Sequence, residues 1–248
     1  MPAKRVLILG GTAEARQLAD ALSREPAFAV ITSLAGRTSE PSLPESEIRI
    51  GGFGGVEGMS RYLADERIEL VVDATHPFAA VISRSAFEAC KASGVRSLHL
   101  VRPAWVRQPG DAWTVVPDIE AAAQALQTGQ RAFLTIGSSG LQPFADRASD
   151  IHFIARMIES PNEALPEGFQ IVRARPPFSL QDESAFLRDH AIDVLVTKNA
   201  GGTSTYAKIE AARHLSLPVI IVDRPKDVPD ADADTVEAML DLMRAHAG

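Results

Sequence analysis

Cysteine is nearly missing: Cys90 stands alone in 248 residues, so no internal disulfide can form and no oxidising compartment is called for. Long apolar runs are missing as well. None approaches the ~20 residues that cross a bilayer, and no apolar signal core follows the two basic residues near the N-terminus, so cytoplasmic residence is the expectation. Positive charge is in deficit, 25 Lys and Arg against 32 Asp and Glu, and the formal net charge of −7 opposes binding to nucleic acid or an anionic membrane. An anionic ligand must then be captured by local donors. The six histidines (76, 99, 152, 190, 214 and 246) are scattered, with no cluster at zinc-ligand spacing, and no metal is expected. Three catalytic signatures are also lacking: the G-x-x-x-x-G-K-[ST] phosphate loop, the G-x-S-x-G nucleophile elbow and the Tyr-x-x-x-Lys pair of short-chain dehydrogenases. Tyr206 is followed by Lys208 and then Glu210, which leaves that last mechanism without its base.

What is present is an alternation of short β-branched runs with helical stretches, in a chain 46% apolar and 23% charged, the composition of an ordinary globular protein. RVLIL, a helix from Ala13 to Leu22, FAVITSL, EIRIG, a helix near Val56 to Asp65 and LVVDAT make up the first series. The second runs through WTVV, a helix from Asp118 to Leu126, RAFLTIG, DIHFIARM, FQIVRA, a helix from Leu180 to Asp189, DVLVTKNAGG, a helix from Ser204 to Leu215 and LPVIIVDRP. Such alternation predicts parallel sheets covered by helices, an α/β chain of two Rossmann-like domains. RPAWVRQPG at 102–110 interrupts the pattern and suits a hinge, with domains at 1–106 and 107–248. Residues 233–246 form an amphipathic helix with Val236, Met239, Leu240 and Met243 on one face, and Cys90, in the helix FAAVISRSAFEACKASG, reads as a buried structural thiol.

The turn after RVLIL carries the first chemistry. Gly10 and Gly11 follow a buried strand and Thr12 opens a helix, so backbone N–H groups and a positive helix end face whatever lies above the strand. Thr12 and Ala15 occupy places where the dinucleotide fingerprint has glycine, and a ligand-free turn with Thr12 as helix cap is the alternative. The second strand ends without the acidic residue that binds NAD ribose hydroxyls. It presents Ser33, Arg37 and Thr38, which suit the 2′-phosphate of NADP(H), unless Arg37 is a solvated loop charge. GGFGG at 51–55 allows close backbone approach to a ligand, or is a flexible surface turn. In VVDATHPFA, Thr75 and His76 lie at the carboxyl edge of a strand, where ligands of open sheets sit; His76 there is either a contact or catalyst, or a structural histidine.

The second half repeats the architecture with other donors. LTIGSSGL places Ser138 and Ser139 after a strand, and VTKNAGGTSTY offers Lys198, Asn199, Thr203, Ser204 and Tyr206. Such loops supply donors to phosphate or carboxylate oxygens, although helix capping alone would account for Thr203 and Ser204. Arg102, Arg156 and Arg175 follow apolar strands and are either surface charges or parts of a basic wall.

ILGGTAEARQLA, GGFGG, DATHPFA, LTIGSSGL, VTKNAGG and YAKIEAARHLSLPVIIVDRP occur in order over residues 5–225, and together they resemble the precorrin-6A reductase family of cobalamin (vitamin B12) biosynthesis. The resemblance implies a monomeric or weakly associated reductase with two Rossmann-like domains and an interdomain cleft. It implies hydride transfer from NADPH to a ring double bond of precorrin-6A, a tetrapyrrole edged with acetates and propionates. It assigns Gly10, Gly11 and Thr12 to the pyrophosphate, Ser33, Arg37 and Thr38 to the adenosine phosphate, and Thr75 and His76 to the nicotinamide ribose, with His76 as the candidate catalytic group. Ser138, Ser139, Lys198 and Asn199 would face the substrate or close over the cofactor, and Thr203 and Ser204 are counted with them as candidate substrate-binding residues. Pro176 stands where the resemblance leads one to expect glycine. Two alternatives stay open, a cobalt-precorrin-6A reductase of the anaerobic pathway and a noncatalytic NADP-sensing protein.

Overall fold

The computed structural model describes residues 2–36, 43–160 and 165–245, and these divide into two compact units, one of residues 1–103 with 225–248 and one of residues 104–224. In the first unit, β1 (Lys4–Leu9), β2 (Phe28–Leu34), β3 (Glu47–Ile50), β4 (Leu70–Asp73) and β5 (Arg96–His99) form a parallel sheet in the order β3-β2-β1-β4-β5. β1 lies at the centre and is apolar on both sides. Val6 and Ile8 join one core with α1 (Ala13–Ser23), while Leu7 and Leu9 join the opposite core with α2 (Gly55–Asp65) and α3 (Ala80–Ser93). A strand buried on both faces loses the polar alternation of a half-exposed one, which is why RVLIL reads as a continuous apolar run.

The second unit holds β6 (Ala112–Val116), β7 (Arg131–Thr135), β8 (His152–Met157), β9 (Phe169–Arg173), β10 (Val194–Lys198) and β11 (Pro218–Val222). They pair in parallel in the order β6-β11-β10-β7-β8-β9. α4 (Ile119–Gln124), α5 (Gln142–Ala145), α6 (Leu180–Asp189) and α7 (Ala207–His214) accompany this sheet. Phe133, Ile154, Leu195, Val219 and Ile221 from the strands pack with Leu187 of α6 and Ile209 and Ala212 of α7. No helix among the described residues is long and apolar enough to cross a membrane.

The units divide the chain differently from the expected boundary at 106. Trp105 is buried in the core of the second unit. The last helix, α8 (Val236–Ala245), packs with the first unit rather than with the 107–248 domain expected for it: Met239 and Met243 are fully buried against the core that holds Leu18 and Leu22 of α1. Its apolar stripe is as expected, but a stripe does not say which sheet it covers. Ahead of α8 the chain is tied to the first sheet by a bridge between Leu100 and Ala233 and by the His99 N–H donating to Asp232 Oδ2 at 2.8 Å.

Candidate functional site

In each sheet the strand order reverses at one place, and there the loops leaving two adjacent strands diverge. In the first unit that place lies between β1 and β4. The Gly10–Thr12 turn leaves one strand and the Ala74–Pro77 segment the other, and the Thr12 hydroxyl joins them, donating to the Ala74 carbonyl at 2.8 Å. The same oxygen accepts from the Ala15 N–H at 3.0 Å, so Thr12 is the N-cap of α1. Gly11 has a φ of +107° and a Cβ on it would meet nothing within 4 Å, so the turn combines left-handed backbone with open space above it. The first N–H groups of α1 have no intrahelical partner. Glu14, whose charge would repel an anion there, is held by Arg102 at 2.9 Å, and both residues line a small depression with Thr12, Ala74, Thr75 and Pro77. Left-handed backbone, a helix N-terminus, open space and a neutralised carboxylate fit the pyrophosphate of a dinucleotide.

The DATHP segment is braced from below. Asp73, at the end of β4, is buried, and its Oδ1 accepts from the Thr75 N–H at 3.0 Å and from the Thr75 hydroxyl at 2.7 Å. Its Oδ2 has no hydrogen-bond partner and lies 3.5 Å from Nε2 of His99, whose Nδ1 is 2.9 Å from the Pro229 carbonyl. A carbonyl only accepts, so His99 Nδ1 bears a proton. In His76, Nδ1 accepts from the Phe78 N–H at 3.3 Å, which places the proton of the neutral ring on Nε2. Thr75 and His76 are thus fixed at the switch point, side by side with the glycine turn.

At the exit of β2, Ser33 is buried and its hydroxyl accepts from Arg49 Nη1 at 3.2 Å. Arg37 and Thr38 lie outside the described residues. The Arg49 guanidinium also donates to the carbonyls of Gly51 at 2.5 Å and Gly52 at 2.8 Å, and it stacks 3.7 Å from the Phe53 ring centroid. GGFGG is therefore wrapped around an arginine that sequence reasoning passed over. Its one signal was register, since Arg49 pairs with Ser33 across β3 and β2. Asp73, His99 and Glu14 were passed over too; Asp73 braces Thr75 two residues on, but the Asp73–His99, Glu14–Arg102 and His99–Asp232 pairs join residues 26 to 133 positions apart.

In the second unit the reversal lies between β7 and β10, which brings the LTIGSSGL and VTKNAGG loops to one edge of the sheet. Ser138 and Ser139 sit on an exposed 3-10 turn after Gly137, and Lys198 ends β10. Asn199 is already committed. Its Oδ1 accepts from the Trp105 N–H at 2.8 Å and its Nδ2 donates to the Trp105 carbonyl at 3.3 Å, while its own carbonyl accepts from Arg224 Nε at 2.9 Å. Thr203 and Ser204 precede α7 without capping it; Tyr206 holds the cap position and makes no side-chain cap bond. Tyr206 instead accepts from Arg213 at 2.8 Å through its hydroxyl, and Arg213 also holds the buried Asp111 at 2.9 Å.

The second unit also holds a buried charged cluster. Arg156 of β8 meets Glu183 of α6 at 2.5 Å, and its guanidinium stacks 3.8 Å from Phe178, which follows the Pro176–Pro177 pair. Lys208 of α7 lies 5.4 Å from the Trp105 ring. Burial, and then the Arg156 charge, push its pKa down from 10.5 to about 7, against the pull of Glu183. Cys90 moves the other way, raised by burial and by Asp73 to about 11, and so remains an inert thiol at neutral pH, in keeping with a structural role.

Comparison with known proteins bears on the family and the fold. The pattern of the family described as precorrin-6x reductase CbiJ/CobK matches residues 5–244. A precorrin-6A reductase of Rhodococcus erythropolis is 46% identical over 222 residues, 89% of each chain. One of Rhodobacter capsulatus is 44% identical over 245 residues, 98% of this chain and 96% of the other. The solved structure of a CobK precorrin-6A reductase superposes with a TM-score of 0.91 at 43% identity, covering 98% of this chain and 97% of that one. A reductase family and a Rossmann-like fold are consistent with a nicotinamide cofactor. With paired switch points, a helix end open to an anion and likeness along nearly its whole length, the chain belongs to the precorrin-6x reductase CbiJ/CobK family.

Proposed function

We propose that the chain is an NADPH-dependent precorrin-6A reductase, reducing a ring double bond of precorrin-6A to give precorrin-6B in cobalamin biosynthesis. The observation that carries the activity is likeness at 44% identity over 98% of the chain to a precorrin-6A reductase. NADPH, when bound, supplies the hydride. The protein's work is to hold both reactants in register and keep water out, which for hydride transfer accounts for much of the acceleration.

In this reading the Gly10–Thr12 turn holds the pyrophosphate, supported by the open helix end of α1 and by the Glu14–Arg102 pair. Ser33, with Arg37 and Thr38, receives the adenosine phosphate. Thr75, braced by Asp73, and His76 lie beside the nicotinamide ribose. Ser138, Ser139, Lys198, Thr203 and Ser204 offer donors to the acetate and propionate groups of the tetrapyrrole. Asn199 serves that edge by holding Trp105 and the loop in place, since its side-chain amide is already bonded.

The conjugated macrocycle spreads positive charge over its own nitrogens, so no strong protein acid is required at the reacting carbon. His76→Ala is accordingly expected to lower kcat by less than about 100-fold, the low end of what a general acid contributes. The test is reduction of precorrin-6A by the purified protein, followed by nicotinamide absorbance and by product mass, together with cofactor titration. A greater loss in His76→Ala with cofactor affinity intact would make His76 the proton donor. NADPH binding without any tetrapyrrole turnover would favour a sensor.

A further inference from the structure

We propose that Arg49 reads the adenosine 2′-phosphate and thereby sets the preference for NADPH over NADH. The inference rests on the first unit being the dinucleotide site. In such sites the carboxyl end of the second strand meets the adenosine ribose, with an acidic residue there for NAD and an arginine nearby for NADP. Here that strand end carries Ser33, and Arg49 is its register partner on the neighbouring strand.

Arg49 is fixed without being neutralised. Its Nη1 donates to the Ser33 hydroxyl at 3.2 Å and to the Gly51 carbonyl at 2.5 Å, and its Nη2 donates to the Gly52 carbonyl at 2.8 Å. Among the described residues those three bonds leave two of the five guanidinium N–H groups for a ligand. Phe53 stacks beneath it at 3.7 Å and Tyr62 lies at 5.0 Å, with the two rings edge to face. The platform is itself built into the backbone: a Cβ on Gly58 of α2 would stand 1.8 Å from the Phe53 carbonyl oxygen, so glycine there lets the Phe53 main chain seat against the helix. Arg5, Arg24, Arg102, Arg156 and Arg213 each hold a carboxylate, whereas no carboxylate of the described residues lies within 4 Å of Arg49. A planar cation held by carbonyls and an aromatic face keeps its full charge and pays little ordering entropy when it meets a phosphate. In a chain of net charge −7, such a fixed cation is what a doubly charged 2′-phosphate requires.

The purely structural alternative, in which Arg49 only ties GGFGG to β2, makes a different prediction, because it would weaken both cofactors alike. The experiment is calorimetric titration of the full-length protein with NADPH, NADH, adenosine 2′,5′-bisphosphate and 5′-AMP, for wild type, Arg49→Lys, Arg49→Met and Arg37→Ala. The expected result is a loss of about 30- to 100-fold in Arg49→Met for the two ligands that carry a 2′-phosphate, with NADH and 5′-AMP changed less than about threefold. Arg49→Lys, which keeps the charge but loses the fork and the stacking, falls between, and it also serves if Arg49→Met does not fold. Equal loss across all four ligands, no loss at all, or a 2′-phosphate effect confined to Arg37→Ala would each overturn the assignment. Wild type that binds NADPH and NADH equally would overturn it while leaving the dinucleotide site standing. Wild type that binds neither would remove both.

Discussion

Lys208 shows what a single residue contributes that its sequence neighbours do not announce. Its ammonium is ordinarily charged up to 10.5 and here only up to about 7. Between those values the unfolded chain holds more protons than the folded one, so this residue makes stability rise with pH, by at most about 1.4 kcal/mol per pH unit. Below about 7 the group is charged in both states and the slope vanishes. Urea unfolding from pH 6 to 10 should therefore show wild type gaining on Lys208→Met through the upper part of the range; curves that stay parallel would mean that Lys208 remains charged when folded. In the sequence Lys208 is legible only as a lysine too close to Tyr206 for a dehydrogenase pair. Its burial, and the charges of Arg156 and Glu183 that act on it, come from β8, α6 and α7, which are far apart in sequence. Arg49 was hidden for the same reason: Arg37 sits where a linear reading of the second strand looks, whereas Arg49 arrives from the next strand.

Elements were more legible than their partners. Parallel strands buried on both faces announce themselves as β-branched runs, and α6 was legible to both ends, Leu180 and Asp189, with Ser179 capping Asp182 at 3.0 Å. Strand order was not legible, because parallel connections leave the choice of neighbour to helix packing. α7 begins at Ala207, three residues later than its polar lead-in suggested, because the Thr203 carbonyl already accepts from the Tyr206 N–H in a turn of its own. At the level of one helix, Thr12 bears two loads, capping α1 and joining its start to the Ala74 carbonyl. Thr12→Ala should cost about 1–2 kcal/mol in chemical denaturation. Thr12→Ser, which keeps the hydroxyl, should recover most of it; a cost below about 0.5 kcal/mol for Thr12→Ala would mean that water replaces both bonds.

For the whole molecule, the first unit is discontinuous in the chain and the second is not. Met239 and Met243 are fully buried in the first unit's core, and burying two such side chains is worth about 3–6 kcal/mol. Ending the chain at Ala233 should therefore lower the first unit's unfolding temperature sharply in calorimetry and leave a transition for residues 104–224 near its original place; a single unshifted transition would show α8 to be dispensable. The second unit is also closed at its own ends, since Trp105 and Arg224 both bind Asn199, one through its side chain and the other through its carbonyl. A ribosome releases a chain from its N-terminus onward, and domains generally fold as units once their residues have emerged. Residues 104–224 can close as soon as they are clear of the exit tunnel, whereas β1, made before them, must wait for α8, made after them. During synthesis the unit begun before the other is completed after it, so a chaperone that shields nascent apolar surface would find the longer-lived target in residues 1–103.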